Sequence, residues 1–258
     1  MIKAVIFDMG GVVHTMRFEE AQALTYARET IAFLAEHGIV VQDTPETFFN
    51  ELLRADEVRK KDNKRTGREL PPLESWADIY LQKYNVTRAQ IFPIADELAL
   101  RWSRDRGEDI PREGLFETVD ELRSMGMRLG VISNTQSRSF VPWQLCKYGV
   151  SKYFEYVLLS SVCGLKKPDP AIFELCEQTM GLEKHELAYV GDTISRDVIG
   201  VRDAGWALMI RILHTEATQS VLAREKELEA AGYKPDYIIH TLTEIPEIIR
   251  QYNANCAK

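Results

Sequence analysis

The sequence predicts an α/β fold: a doubly wound parallel sheet into which a helical segment is set after the first strand. Three observations carry this. Ala4–Phe7 is a short apolar run, dense in β-branched and aromatic residues, that ends on Asp8 and the pair Gly10-Gly11. A run with no turn residue inside it reads as a strand buried on both faces. From Pro111 onward, strand-like and helix-like stretches alternate, the pattern of repeated βαβ units. Between about residues 15 and 110 the apolar spacing is helical and no strand is expected. The expected division is therefore an α/β core from residues 1–14 and 111–258, and a helical segment over 15–110.

In order along the chain, helical spacing runs over residues 18–37 (Ala21, Leu24, Ala27, Ile31, Leu34) and stops at Gly38. Thr44-Pro45 is an N-cap followed by proline at the first helical position. Two further helices are expected over 73–84 and 87–104. A basic cluster (Arg59, Lys60, Lys61, Lys64, Arg65) fits a solvated helix end, and also a cleft that attracts anions. Trp76, Tyr80 and Trp102 lie at helical spacing, where core packing is the simpler role. The core then predicts strands at 128–132, 156–159, 187–190, 206–210 and 237–239. Helices are expected at 113–125, 138–148, 169–180, 197–204 and 243–252, and a solvent-covered helix at 214–234.

Bulk properties exclude several function classes. A net charge of -7 argues against general nucleic-acid or anionic-membrane binding. No apolar run approaches bilayer length, and the first residues form a strand carrying an acid rather than a leader peptide. The four cysteines are scattered with no C-x-x-C pair, which suits reduced thiols and a cytoplasmic location.

Chemistry gathers at four places. Asp8 puts a carboxylate at the tip of the first strand, where open α/β sheets place their sites; taken alone, it fits equally well an acid that caps a turn. Val131-Ile132-Ser133-Asn134-Thr135 is a strand ending in hydroxyl and amide groups, which can hold phosphate oxygens. Lys166-Lys167-Pro168 sets fixed positive charge before a helix start. Val190-Gly191-Asp192 ends a strand on one acid, with Asp197 as a second acid shortly after.

In this order and spacing, the four stretches D-M-G-G-V (8–12), I-S-N-T (132–135), G-L-K-K-P-D-P-A-I-F (164–173) and V-G-D-T-I-S-R-D-V-I-G-V-R-D-A-G (190–205) resemble the haloacid dehalogenase-like hydrolase superfamily. With the helical segment in the place of that family's C1-type cap, the resemblance covers nearly the whole chain. It implies that Asp8 is a nucleophile forming an aspartyl-phosphate. It assigns Ser133 and the backbone N–H of Asn134 to the phosphate cradle, and Lys167 to charge balance. It assigns Asp8, Asp192 and the carbonyl of Gly10 to Mg2+, with Asp197 supporting that site. The implied function is a magnesium-dependent phosphatase acting on a small phosphorylated metabolite.

One position departs from the pattern. Family phosphatases usually carry a second Asp two residues after the nucleophile, as general acid and base; here it is Gly10. Glycine keeps the backbone carbonyl and loses the proton-transfer group. Three substitutes are open: His14, a side chain delivered by the cap, or a substrate whose leaving group needs no proton. The same gap motivates two alternatives. One is a metal-independent 2-haloacid dehalogenase, since a halide departs without a proton. The other is a catalytically silent binding module; D-M-G-G-V also resembles the phosphatase-like domain attached to some acyl-CoA dehydrogenases.

Overall fold

The computed structural model describes residues 1–213 and 219–256. Six strands form one sheet: β1 (Ala4–Phe7), β4 (Arg128–Ser133), β5 (Tyr156–Leu159), β6 (Leu187–Gly191), β7 (Leu208–Ile212) and β8 (Tyr237–Ile239). Their order is β5-β4-β1-β6-β7-β8, every pair parallel. The chain builds outward from β1 in one direction and then in the other, so the sheet is doubly wound and its switch point lies at β1. Side chains alternate across it. Val5 and Phe7 join the buried cluster on one face, Ala4 and Ile6 the cluster on the other.

Two strands were not expected. β2 (His14–Arg17) and β3 (Glu108–Pro111) pair antiparallel and bracket the helical segment, His14 opposite Pro111 and Arg17 opposite Glu108. Each is four residues long and largely polar, without the alternation that marks a strand locally. Only the long-range pairing makes them a ribbon.

Within the segment, helix Glu20–Glu36 buries Ala23, Tyr26, Ala27, Thr30 and Leu34. That face is rotated from the expected one, and Ala21 is exposed. Helix Pro45–Thr66 is capped as expected, with Thr44 Oγ1 accepting from the Thr47 N–H. The helix expected over 73–84 is broken into Pro72–Glu74, a π-helical turn at Ser75–Tyr80 and a 3-10 turn at Gln82–Tyr84. The one expected over 87–104 divides into Arg88–Ile91 and Ala95–Asp105, around Pro93, which has no N–H to continue the ladder. Trp76, Tyr80 and Trp102 are buried in the segment's own apolar cluster. The helix expected over 214–234 is described as Gln219–Ala230; residues 214–218 lie outside the described residues. No helix among the described residues is long and apolar enough to cross a membrane.

Candidate active site

Asp8 follows β1, Ser133 ends β4 and Asp192 follows β6. Because β4, β1 and β6 are neighbours, the three side chains reach one cavity at the carboxyl edge of the sheet. The helical segment and β2 also line it, with Arg59, Asn63, Trp102 and His14 among their residues.

Lys167 is the hub. Its side chain is fully buried, and Nζ lies 2.9 Å from Asp8 Oδ1, 2.7 Å from Asp197 Oδ1 and 2.7 Å from Tyr189 Oη. An ammonium has three protons, and here each has an acceptor. Tyr189, held protonated by burial first and neighbouring acids second, donates its own proton to the carbonyl of Ile132 at 3.3 Å. Asn134 fixes the lysine from behind. Its amide donates to the carbonyl of Lys167 and accepts from the Lys167 N–H, both at 2.9 Å. The Asn134 side chain is thus committed to the lysine loop. The hydroxyl of Ser133 makes no hydrogen bond among the described residues.

The acids divide into committed and uncommitted groups. Asp197 gives Oδ1 to Lys167, and Oδ2 to the N–H and hydroxyl of Thr193 at 3.0 and 2.8 Å. Burial opposes its charge, but Lys167 and Arg196 outweigh that and hold it at about 2. Asp8 Oδ1 accepts from the Met9 N–H at 2.7 Å as well as from Lys167. Asp192 Oδ1 is buried with no hydrogen-bond partner, its ionic neighbour Arg196 Nη2 standing off at 3.7 Å. Burial first, then the charge on Asp197, push Asp192 up to about 8, and burial raises Asp8 too despite Lys167.

One carboxylate oxygen from each of Asp8, Asp192 and Asp197 lies within 4.8 Å of the others. No described hydrogen bond ends on the carbonyl of Gly10. Buried acids that favour protonation, an orphaned carboxylate oxygen and an open carbonyl are the oxygen donor set that suits Mg2+.

This electrostatic strain has a pH signature. In the metal-free protein, Asp192 and Asp8 keep their protons to higher pH in the folded than in the unfolded state. Stability should therefore fall as pH rises from the usual carboxylate range toward about 8. His14, lowered to about 4, and Asp109, raised to about 6, act in opposite senses over much of that range and offset each other. Mg2+ should raise Tm more at pH 8 than at pH 5, because protons compete for the same oxygens. Asp192→Asn should flatten the profile and remove most of that gain in thermal melts. An equal Mg2+ effect in both proteins would exclude Asp192 as a ligand.

The two glycines after Met9 differ. Gly11 has φ +79°, and a Cβ there would lie 2.2 Å from Asp192 Oδ2, so the close approach of β1's turn to Asp192 needs glycine. Gly10 has no left-handed φ, and a Cβ on it would meet nothing within 4 Å. His14 is buried edge-on to Phe140 and Tyr148, with Nε2 3.4 Å from Asp109 Oδ1. Burial leaves its ring uncharged at neutral pH.

The basic cluster splits. Arg59 is largely shielded, its side chain 11% exposed, and is held by Asp56, Glu69 and Tyr80. Lys60 and Lys64 line the cavity, and Lys61 and Arg65 are exposed. Cys163 is half-buried.

Sequence reasoning missed the supports. Arg112 donates to the carbonyl of Gly11 at 2.8 Å. Arg211 Nε donates to the carbonyl of Asp192 at 3.0 Å. Glu225, from the helix expected to be solvent-covered, is buried; it pairs with Arg211 at 2.7 Å and accepts the Ile194 N–H at 2.9 Å. Two arginines just outside the expected elements and one acid inside an expected helix carry no local signal of this role.

A family model for haloacid dehalogenase-like hydrolases matches residues 2–205. Several relatives are named glyceraldehyde 3-phosphate phosphatase. That of Methanocaldococcus jannaschii is 31% identical over 141 residues, 54% of this chain and 57% of that protein. That of Methanopyrus kandleri is 25% identical over 254 residues, 97% of this chain and 98% of that one. The human haloacid dehalogenase-like hydrolase domain-containing protein 3 is 30% identical over 174 residues, covering 66% and 68%. Among solved structures, a 2-haloacid dehalogenase from Pseudomonas syringae aligns with a TM-score of 0.63 at 21% identity, covering 98% of this chain and all of that one. A phosphatase from Thermococcus onnurineus aligns with a TM-score of 0.58 at 21% identity, covering 96% and 98%. At these identities the structural matches speak for the fold alone.

Proposed function

The chain belongs to the haloacid dehalogenase-like hydrolases, and from that premise we propose that it is a phosphatase of a small phosphorylated metabolite, magnesium-dependent and cytoplasmic. The observation that carries the reading is the ammonium of Lys167 between Asp8 and Asp197, beside the carboxylate of Asp192, whose buried Oδ1 accepts no hydrogen bond and has Arg196 as an ionic neighbour at 3.7 Å. One acid is poised as nucleophile, one is locked to hold the lysine, and one is left for a cation.

The residues 15–110 act as a cap over the site. Ser133, with the Asn134 N–H, receives the phosphate oxygens. The carboxylate of Asp8 attacks phosphorus, and the bond from phosphorus to the ester oxygen breaks. The leaving oxygen takes its proton from water, or from the cap, because Gly10 has none to give. Water then attacks the aspartyl-phosphate, releasing inorganic phosphate and restoring the carboxylate. Throughout, Lys167 offsets charge on Asp8 and on the transferring group. Asp8, Asp192 and the Gly10 carbonyl would hold Mg2+, which when bound supplies positive charge to the phosphoryl oxygens and to the acid cluster.

A screen of phosphorylated metabolites, beginning with triose phosphates because several relatives are named glyceraldehyde 3-phosphate phosphatase, tests the reading, with and without chelator. Phosphate release that requires Mg2+ is the expected result. Halide release from 2-haloacids in chelator, with no phosphate release, would replace it by the dehalogenase reading.

A further inference from the structure

Glu69 lies on the inserted segment, outside the four motifs, with its side chain 2% exposed. A carboxylate buried to that degree is costly unless its oxygens are filled. They are filled from two different sides. Oε1 accepts from Arg59 at 2.5 Å and Asn63 at 2.6 Å, both on the segment's helix Pro45–Thr66. Oε2 faces Lys166 Nζ at 3.2 Å and Ser160 Oγ at 3.3 Å, both in the core. The backbone crosses at the same point. The Glu69 N–H donates to the carbonyl of Gly164 at 3.2 Å, and Arg68 forms an antiparallel bridge with Leu165.

The core groups it reaches are next to the chemistry. Ser160 Oγ accepts the N–H of Thr135 at 2.9 Å, in the loop that begins with Ser133 and Asn134. Its single proton lies between the Thr135 carbonyl at 3.1 Å and the Glu69 carboxylate. Lys166 directly precedes Lys167. Arg59 already has Asp56 as an ionic partner at 2.9 Å, so the helix does not need Glu69 for that charge alone.

We propose that Glu69 is a positioning residue for phosphoryl transfer, a carboxylate carried by the cap that completes the phosphate cradle and the lysine loop when the cap sits on the core. The proposal rests on the phosphatase reading. Closure puts Oε2 on Ser160 and Lys166; opening removes it and loosens both loops. A substrate that keeps the cap seated is thereby turned over in a fully braced site, and one that does not is turned over in a slack one.

The test uses Glu69→Gln in the full chain, with Glu69→Asp as a milder variant should the first fail to fold, folding being checked by circular dichroism. Amide exchange read by NMR needs no substrate, so it tests the coupling even if no ester is hydrolysed. The expected result is faster exchange at Thr135 and across 164–167. For p-nitrophenyl phosphate, kcat should fall by about 10-fold or more, as small misplacements of reacting groups do, with KM changed by less. Because the effect on Thr135 runs through Ser160, Glu69→Gln added to Ser160→Ala should not speed that amide further. Faster exchange confined to residues 59–69, or effects of the two substitutions on Thr135 that simply add, would overturn the proposal.

Discussion

Asp8→Asn should lower turnover of every phosphate ester by a factor on the order of 10⁴ or more, the scale of removing a covalent nucleophile, while leaving the protein folded. The substitution changes little else. An asparagine oxygen still accepts from the Met9 N–H and from Lys167. Lys167 keeps Asp197 and Tyr189, so no buried ammonium is stranded. One negative charge leaves a cluster in which Asp192 is already pushed up to about 8 by burial and its neighbours. Tm at pH 8 in the absence of metal should therefore not fall, and a rise is the expected direction. The measurement pairs nitrophenol release with a thermal melt on one preparation. A folded variant that keeps a tenth of wild-type activity would mean that water attacks phosphorus directly, and Asp8 would then be only a ligand.

The parts of this site that the sequence reveals are those whose signal is local. Each strand tip announces itself within a few residues: an apolar run, then Asp8, Ser133 or Asp192. The sheet then brings them together because β4, β1 and β6 are neighbours. What stays hidden depends on distant partners. Tyr189 reads as one more apolar position in a buried strand until Lys167 is found 2.7 Å from its hydroxyl. Arg211, just past the strand expected over 206–210, and Glu225, in a helix expected to be solvent-covered, look ordinary until they are seen to hold the backbone of Asp192 and Ile194. β2 and β3 are strands only because each has the other. The family resemblance implies two acids, Asp192 and Asp197, at one metal site. The hydrogen bonds separate their work, since both oxygens of Asp197 are occupied by Lys167 and Thr193 while the buried Oδ1 of Asp192 accepts none. A sequence lists acids; it does not say which of their lone pairs are taken.

Gly10 sets the second large effect. With the nucleophile and lysine in place and no acid two residues on, the first step should run when the leaving oxygen is already a weak base. p-Nitrophenyl phosphate should be hydrolysed, and the rate should fall steeply across a series of esters as leaving-group pKa rises. Gly10→Asp should then raise the rate on an alkyl ester by about 10²-fold or more, the range general acid–base catalysis supplies, and raise the aryl rate much less. The backbone permits the experiment: φ at Gly10 is not left-handed, and the added Cβ meets nothing within 4 Å. Gly11, one residue on, would not tolerate it, since its Cβ would run into Asp192. His14 does not rescue the wild type at neutral pH, because burial holds its ring uncharged, at about 4, against Phe140 and Tyr148. Equal wild-type rates on aryl and alkyl esters, with no gain from Gly10→Asp, would mean that a proton already reaches the leaving oxygen from the segment above the site. The same steep dependence should make the aspartyl-phosphate slow to hydrolyse, since no carboxylate at residue 10 draws a proton from water. A burst of nitrophenol followed by a slower steady rate is the expected trace, and Gly10→Asp should abolish the burst by speeding the second step.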